Sequence, residues 1–218
     1  MNKLTSSFRN LFLSLSAICI ISGGILAAMN ELTREPVAAA KKIKLENALQ
    51  AVLPDFDNSP AEEAYWAPLP AGDSLKIYPA KKQGALVGAA VESHSMNGFS
   101  GEIKIIAGLD ISGKLINYKV LEHSETPGLG SKMEEWFRTD KNRQNILGAD
   151  LSQTTLKVTK DNGTVDAITG ATISSRAFLA AVNRAYAAFS GVATDASSGA
   201  TTDASSGATG DTKKGGEE

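Results

Sequence analysis

Cysteine is almost missing from this sequence. The one cysteine, Cys19, lies in an apolar N-terminal run, which excludes an internal disulfide framework and a cysteine-based metal site. Histidine is nearly as scarce: His94 and His123 are too few for a histidine-rich metal centre. Neither sign of charge dominates. Lys and Arg number 22 against 24 Asp and Glu, a net charge of −2, and they form no clustered basic stretch of the kind that marks a nucleic-acid binder. A length of 218 residues suits one domain plus appendages.

What is present begins with residues 11–29, a run without a single charge. It is long enough to cross a bilayer as a helix. A cleaved signal peptide is the competing reading, with residues 11–21 as apolar core and Ser22, Gly23 and Gly24 as the small-residue site. The run continues through Ile25 and Leu26, which favours an uncleaved anchor. Lys3 and Arg9 precede it, and Arg34, Lys41, Lys42 and Lys44 follow it. Counted plainly, these charges keep the C-terminal side in the cytoplasm, although long domains translocate despite them.

Residues 36–53 read as a helix leaving the membrane, with Pro36 in its first turn and Pro54 at its end. Ile43, Leu45, Leu49, Val52 and Leu53 form an incomplete apolar stripe, and a solvated stalk is the plainer reading of its Lys41–Lys44 part. Residues 55–73 hold Pro60, Pro68 and Pro70 and read as loop, docked by Tyr65 and Trp66. Strand patterns follow at 75–80, 85–92, 102–109 and 114–123, with turns at Gln83-Gly84 and at 110–113. Ile116, Tyr118 and Val120 share one side of the last of these. This predicts an antiparallel sheet with one face buried.

Two glycine-bearing loops come next. The first runs His123, Ser124, Glu125, Thr126, Pro127, Gly128, Leu129, Gly130, and leads into a helix over 131–137. It is not a dinucleotide fingerprint: no third glycine follows at the required spacing, and the loop does not open a βαβ unit. The second is Asp166-x-x-Thr169-Gly170-Ala171-Thr172, preceded by a strand-like segment at 155–158 and a turn at 161–163. A helix over 174–189 follows, with Ser174 or Ser175 as N-cap and Gly191 as stop. Thr172 then sits just outside a helix N-terminus, where an anion such as phosphate is favoured. Taken alone, the spacing also fits an ordinary strand–turn–helix corner. Phe178, Val182, Tyr186 and Phe189 form a stripe better explained by core packing than by an aromatic ligand site. Residues 193–218 are low-complexity and lack large apolar residues, and 194–201 repeats identically as 202–209.

The second loop resembles the flavinylation motif of FMN-binding domains. The wider segment 165–176 resembles the G subunit of the Rnf electron-transport complex, and the related C subunit of the sodium-pumping NADH:quinone reductase. Residues 123–130 resemble a second signature of that family, and Gly98-Phe99-Ser100-Gly101 with the strand after it is similar too. The resemblance spans roughly 75–189. Together with the apolar run and the low-complexity tail, it implies an α+β protein: a single N-terminal transmembrane helix, an antiparallel-sheet FMN-binding domain flanked by helices, and a C-terminal tail whose composition reads as disordered. The parts would be an anchor segment (1–30), a stalk helix and loop (31–74), the FMN-binding domain (75–191) and the tail (192–218).

The resemblance further implies that Thr172 carries FMN through a phosphoester bond, attached by a flavin transferase with FAD as donor. Thr169, Gly170 and Ala171 would shape the phosphate and ribityl site. Asp166 would serve recognition by the transferase, or in a plainer role cap the turn at Thr169. Glu125, Thr126, Gly128 and Leu129 would border the ring or phosphate, and His123 and Glu125 could supply protons to reduced flavin. The chain would be a single-pass protein of a bacterial inner membrane, with its domain on the outer side, relaying electrons beside other membrane subunits in an ion-translocating ferredoxin:NAD oxidoreductase. The compact length favours this over the quinone-reductase relative. A stand-alone flavoprotein reductase and a non-redox membrane-anchored binding module are the readings from other classes. In the tail, Asp195 to Thr201 and Asp203 to Thr209 also fit the pattern with Ser in place of Thr169, which offers Thr201 and Thr209 as further acceptors.

Overall fold

The computed structural model describes residues 8–69 and 72–198, with side chains as far as 191. Thr201 and Thr209 lie outside the described residues. Two compact units emerge, Met1–Asn47 and Ala48–Glu218.

The described residues of the first unit are helical. A single helix α1 runs through Phe8–Val52, with all but its last turns in this unit. Its most apolar window has a mean hydropathy of 2.3 and no residue buried, so it is long and apolar enough to cross a membrane. Pro36 lies inside α1 rather than at a helix start. Pro36 removes one backbone bond, but strong helix formers follow at Ala38, Ala39, Ala40, Lys41 and Lys42 and carry the helix on.

The second unit is built on a five-stranded antiparallel meander, β1 (Tyr65–Pro68), β2 (Ser74–Lys82), β3 (Ala85–Ser95), β4 (Ile103–Asp110) and β5 (Leu115–His123), in spatial order 1-2-3-4-5. The turns form where the sequence places them. Gln83 and Gly84 both adopt positive φ, 52° and 78°, as a two-residue hairpin requires. In the β4–β5 turn Asp110 Oδ1 accepts from Ser112 N–H and Lys114 N–H, at 2.8 and 2.9 Å.

One sheet face packs on α3 (Thr172–Ser198). Leu75, Ile77, Val91, Ile105, Leu109 and Tyr118 form the sheet side of this core. Phe178, Val182 and Phe189 are buried on the helix side, with Tyr186 half-buried beside them. Phe178 stacks on Phe137 with centroids 4.7 Å apart and meets Tyr118 edge-on at 4.8 Å. The Ser93 hydroxyl donates to the Ala181 carbonyl at 2.8 Å and ties β3 to α3.

Several expectations change. The second sheet face is not open: Tyr78, Ala80, Ala90 and Ile106 are buried away from the main core, as are Ala48, Leu49, Val52 and Leu53. Gly108 makes this cover possible, since a Cβ there would lie 1.9 Å from the Val52 carbonyl oxygen. Ile116 is only half-buried, and Leu115 takes the core position. The cause is a register shift between Gly108 and Leu109, which pairs Leu109 with Leu115 and Gly108 with Asn117. The proline-rich segment 55–73 contains β1, where Ala67 is buried while Trp66 is 67% exposed; alternation along an edge strand, not aromatic docking, decides which residue turns inward. The helix expected over 131–137 is a 3₁₀ turn (Gly130–Lys132) followed by the short α2 (Met133–Trp136). Residues 155–158 form no strand; Val158 makes a single parallel bridge to Val165 and leads into a 3₁₀ turn (Thr159–Asp161). Gly191 does not stop α3, and it lacks the left-handed φ of a helix-ending glycine. A glycine inside a helix costs only about 1 kcal/mol, which the flanking turns absorb.

Candidate functional site

The corner 166–172 is shaped from its backbone. Ala171 N–H donates to the Ile168 carbonyl at 3.0 Å, closing a turn whose third residue is Gly170. Gly170 has φ +78°, the left-handed value that a type II turn demands at this position. The turn is stitched from inside by Ser175. Its hydroxyl accepts from Ile168 N–H and donates to the Ala171 carbonyl, both at 2.9 Å. Ser174 and Ser175 are therefore buried in the first turn of α3 and are not its N-cap. They serve the interior because the helix begins earlier, at Thr172. Thr172 is half-buried, and its hydroxyl stands 3.3 Å from Lys160 Nζ.

Asp166 does not cap the turn at Thr169. Its carboxylate accepts from Arg143 N–H at 3.2 Å and pairs with the Arg143 guanidinium at 3.4 Å. Its backbone is held as well: Asp166 N–H donates to the Arg143 carbonyl at 2.8 Å, and Trp136 Nε1–H to the Asp166 carbonyl at 2.9 Å. Asp166 thus fastens the corner to the loop before it.

The loop 123–130 is organised around Glu125, which is 5% exposed. One carboxylate oxygen accepts from the Ser174 hydroxyl at 2.5 Å and the other from Ser100 N–H at 3.0 Å. Three segments distant in sequence meet on this one side chain. Gly130 makes room for it: a Cβ there would fall 2.6 Å from Glu125 Oε2 and 2.7 Å from Ser174 Oγ. His123 turns elsewhere. Its Nδ1 accepts from Glu125 N–H at 3.2 Å, and Nε2 lies 3.7 Å from Glu134.

Between the two loops lies a cavity of about 360 Å³. Glu125, Thr126, Leu129 and Gly130 line it from one loop, Gly170, Ala171 and Thr172 from the other. Phe99 and Ile173 add apolar walls, and both are about half exposed or more, at 67% and 48%. A second cavity of about 500 Å³ lies on the other side of Thr172 and is more polar, with Lys141, Gln144, Asp166 and Thr169 in its lining. Lys160, Gly170 and Thr172 belong to both. Of the residues singled out in the sequence, Glu125, Thr126, Leu129, Gly170, Ala171 and Thr172 are thus brought together. Asp166 and Thr169 line the neighbouring cavity, and Gly128 and His123 line neither.

Sequence reasoning missed Lys160, Phe99 as a wall, and Arg176. Arg176, one turn after Thr172, forms a two-pronged pair with Asp161 at 2.7 and 2.6 Å. Hydrogen bonding from Arg176, with its positive charge, holds the Asp161 carboxyl below the usual carboxylate range. The clamp fixes the 3₁₀ turn that carries Lys160 against the start of α3. The only local sequence signal was the cluster Lys160, Asp161 just upstream of the motif.

An apolar-walled slot beside a hydroxyl and a cation suits a flat ring joined to a phosphate. The chemistry agrees with comparisons to known proteins. Residues 98–187 match the family model of the FMN-binding domain. A Photorhabdus laumondii protein, named as the G subunit of an ion-translocating oxidoreductase complex, is 34% identical over 181 residues, covering 79% of this chain and 85% of that one. Its namesakes in Shewanella amazonensis and Escherichia coli K12 are 32% and 34% identical, covering 79% and 75% of this chain and 83% and 82% of theirs. The chain belongs to the family of G subunits of the ion-translocating oxidoreductase complex, with an FMN-binding domain in its sheet-bearing half.

Proposed function

We propose that this chain carries FMN covalently on Thr172 and relays electrons within an ion-translocating oxidoreductase complex of the Rnf kind. The observation that supports it best is the place of Thr172, at the lip of a cavity walled by both motif loops. A flavin there supplies one- or two-electron redox chemistry. The chain's own residues do the rest. Phe99, Leu129 and Ile173 offer apolar surface to a ring. Glu125 acts as a positioning residue: with both oxygens engaged, it holds the loop 98–101, its own loop and the start of α3 in one arrangement. Asp166, through Arg143 and Trp136, keeps the corner in place. Thr172 is an attachment point and takes no part in turnover.

Attachment by a transferase would break the FAD pyrophosphate, join the FMN phosphorus to Thr172 Oγ and release AMP and the hydroxyl proton. A covalent bond then removes any dissociation equilibrium, which matters for a domain facing the outside of the cytoplasmic membrane. Residues 11–29 of α1 would anchor the chain there beside the other subunits.

The experiment is Thr172→Ala in the full chain, expressed with the transferase. Alanine suits the first turn of a helix, so circular dichroism should match wild type while in-gel flavin fluorescence and the FMN mass adduct disappear. A persisting adduct within residues 1–191 would overturn the assignment.

A further inference from the structure

Lys160 is the cation near the motif whose ammonium reaches the Thr172 hydroxyl, whereas Lys141 lines only the second cavity. Arg143 is paired with Asp166 and Arg176 with Asp161. Among the described residues Lys160 has no carboxylate partner, although Asp161 is its neighbour in sequence. Arg176 has taken that acid. The Lys160 ammonium points instead at the Thr172 hydroxyl, 3.3 Å away, on the ridge that both cavities share. A neutral hydroxyl leaves that positive charge unbalanced. A phosphodiester on the same oxygen would bring one negative charge within contact distance of the ammonium, where a charge-assisted hydrogen bond forms.

We propose that Lys160 is the residue that binds the phosphodiester of Thr172-linked FMN, held in position by the Asp161–Arg176 clamp. The proposal rests on the reading that Thr172 carries the flavin. The clamp ties the 3₁₀ turn that carries Lys160 to α3 one turn after Thr172, and the Lys160 ammonium stands 3.3 Å from the Thr172 hydroxyl without the cofactor. The acids nearby do not compete. Glu125 is engaged by Ser174 and Ser100, and Asp166 by Arg143. Lys160 is a positioning residue for the cofactor and takes no part in electron transfer.

The test uses the full chain, prepared with and without the flavin transferase. Peptide mass first establishes whether FMN is on Thr172. Both forms are then acetylated with an N-hydroxysuccinimide ester, and modification is quantified lysine by lysine. Lys160 should react about fivefold or more slower in the flavinylated form, since its ammonium is then ion-paired, while exposed Lys157 reacts equally in both. Shielding by the ring alone is separated by ³¹P NMR of the flavinylated chain. Lys160→Gln should move the phosphodiester resonance, and Lys160→Arg should restore most of the wild-type shift. Equal labelling of Lys160 in both forms, or a resonance that Lys160→Gln leaves in place, would overturn the proposal while Thr172 remains the attachment site. Absence of FMN from the Thr172 peptide would instead remove the reading beneath it.

Discussion

The two loops around the cavity are alike in composition and opposite in construction. Loop 125–130 turns its charged group inward: Glu125 is buried and holds three segments together. Corner 166–172 is held by backbone hydrogen bonds and by Ser175 from below, and it leaves Thr169 exposed and Thr172 half-exposed. A carboxylate in the wall of a cavity invites a chemical role, and a threonine in a turn invites a structural one. Here the partners differ: both Glu125 carboxylate oxygens are engaged within the protein, while the Thr172 hydroxyl faces the Lys160 ammonium. A polar group that already has its full set of partners is committed to the fold, whereas a hydroxyl facing an ammonium without a carboxylate is available to a ligand.

The comparison is most severely tested at Glu125. Glu125→Ala leaves the Ser174 hydroxyl and Ser100 N–H without their acceptor, and should lower the stability of the second unit by about 2–4 kcal/mol. Urea unfolding followed by the fluorescence of Trp66 and Trp136 would measure it, against a Thr172→Ala control that barely changes. Equal stabilities for the two variants would dissolve the distinction between the loops.

A smaller effect is expected at the glycines, one from each loop. Gly128 and Gly170 both have positive φ, +75° and +78°. Alanine at either should cost about 1 kcal/mol through backbone strain. Only at Gly170 does the new methyl meet the opposite loop, 3.4 Å from Leu129 Cδ2. Gly170→Ala should therefore also reduce FMN incorporation in a co-expression assay, and Gly128→Ala should spare it. Equal incorporation in both variants would show that the close approach of the loops has no bearing on the site.

The smallest effect is in pH. Asp161 is exposed, and Arg176 holds its carboxyl below the ordinary value near 4. A depressed carboxylate contributes its stability above the unfolded pKa and loses it as pH falls through the lower folded value. The melting temperatures of wild type and Arg176→Ala should thus differ slightly at pH 6 and converge below about pH 4. A gap that persists in acid would assign the stabilisation to packing of the arginine stem.

Much of the fold was legible because its signals are local. The hairpin turns declare themselves through residues tolerant of positive φ, and strands β2 to β5 through alternation. The apolar stripe of α3 follows from helical spacing. The misses arise where a distant segment intervenes. Pairing across the sheet displaces Ile116 by a bulge, and the end of α1 closes a face that strand alternation marks as solvated. β1 was missed because four residues with one buried side chain give no periodicity to read.

The same division runs through the site. The sequence by itself determined which residue types stand at Thr172 and Glu125, the glycine that its turn requires at 170, and an N-terminal run apolar enough for a membrane. Each depends on a few adjacent residues and on steric rules that hold in any context. Only the tertiary structure decided that Glu125 meets Ser174 across 49 positions, that Trp136 meets Asp166 across 30, and that Lys160 meets Thr172 across 12. Those meetings follow from how the loops are carried to one end of a folded sheet and helix, and no local propensity specifies where a charged side chain will find its partner.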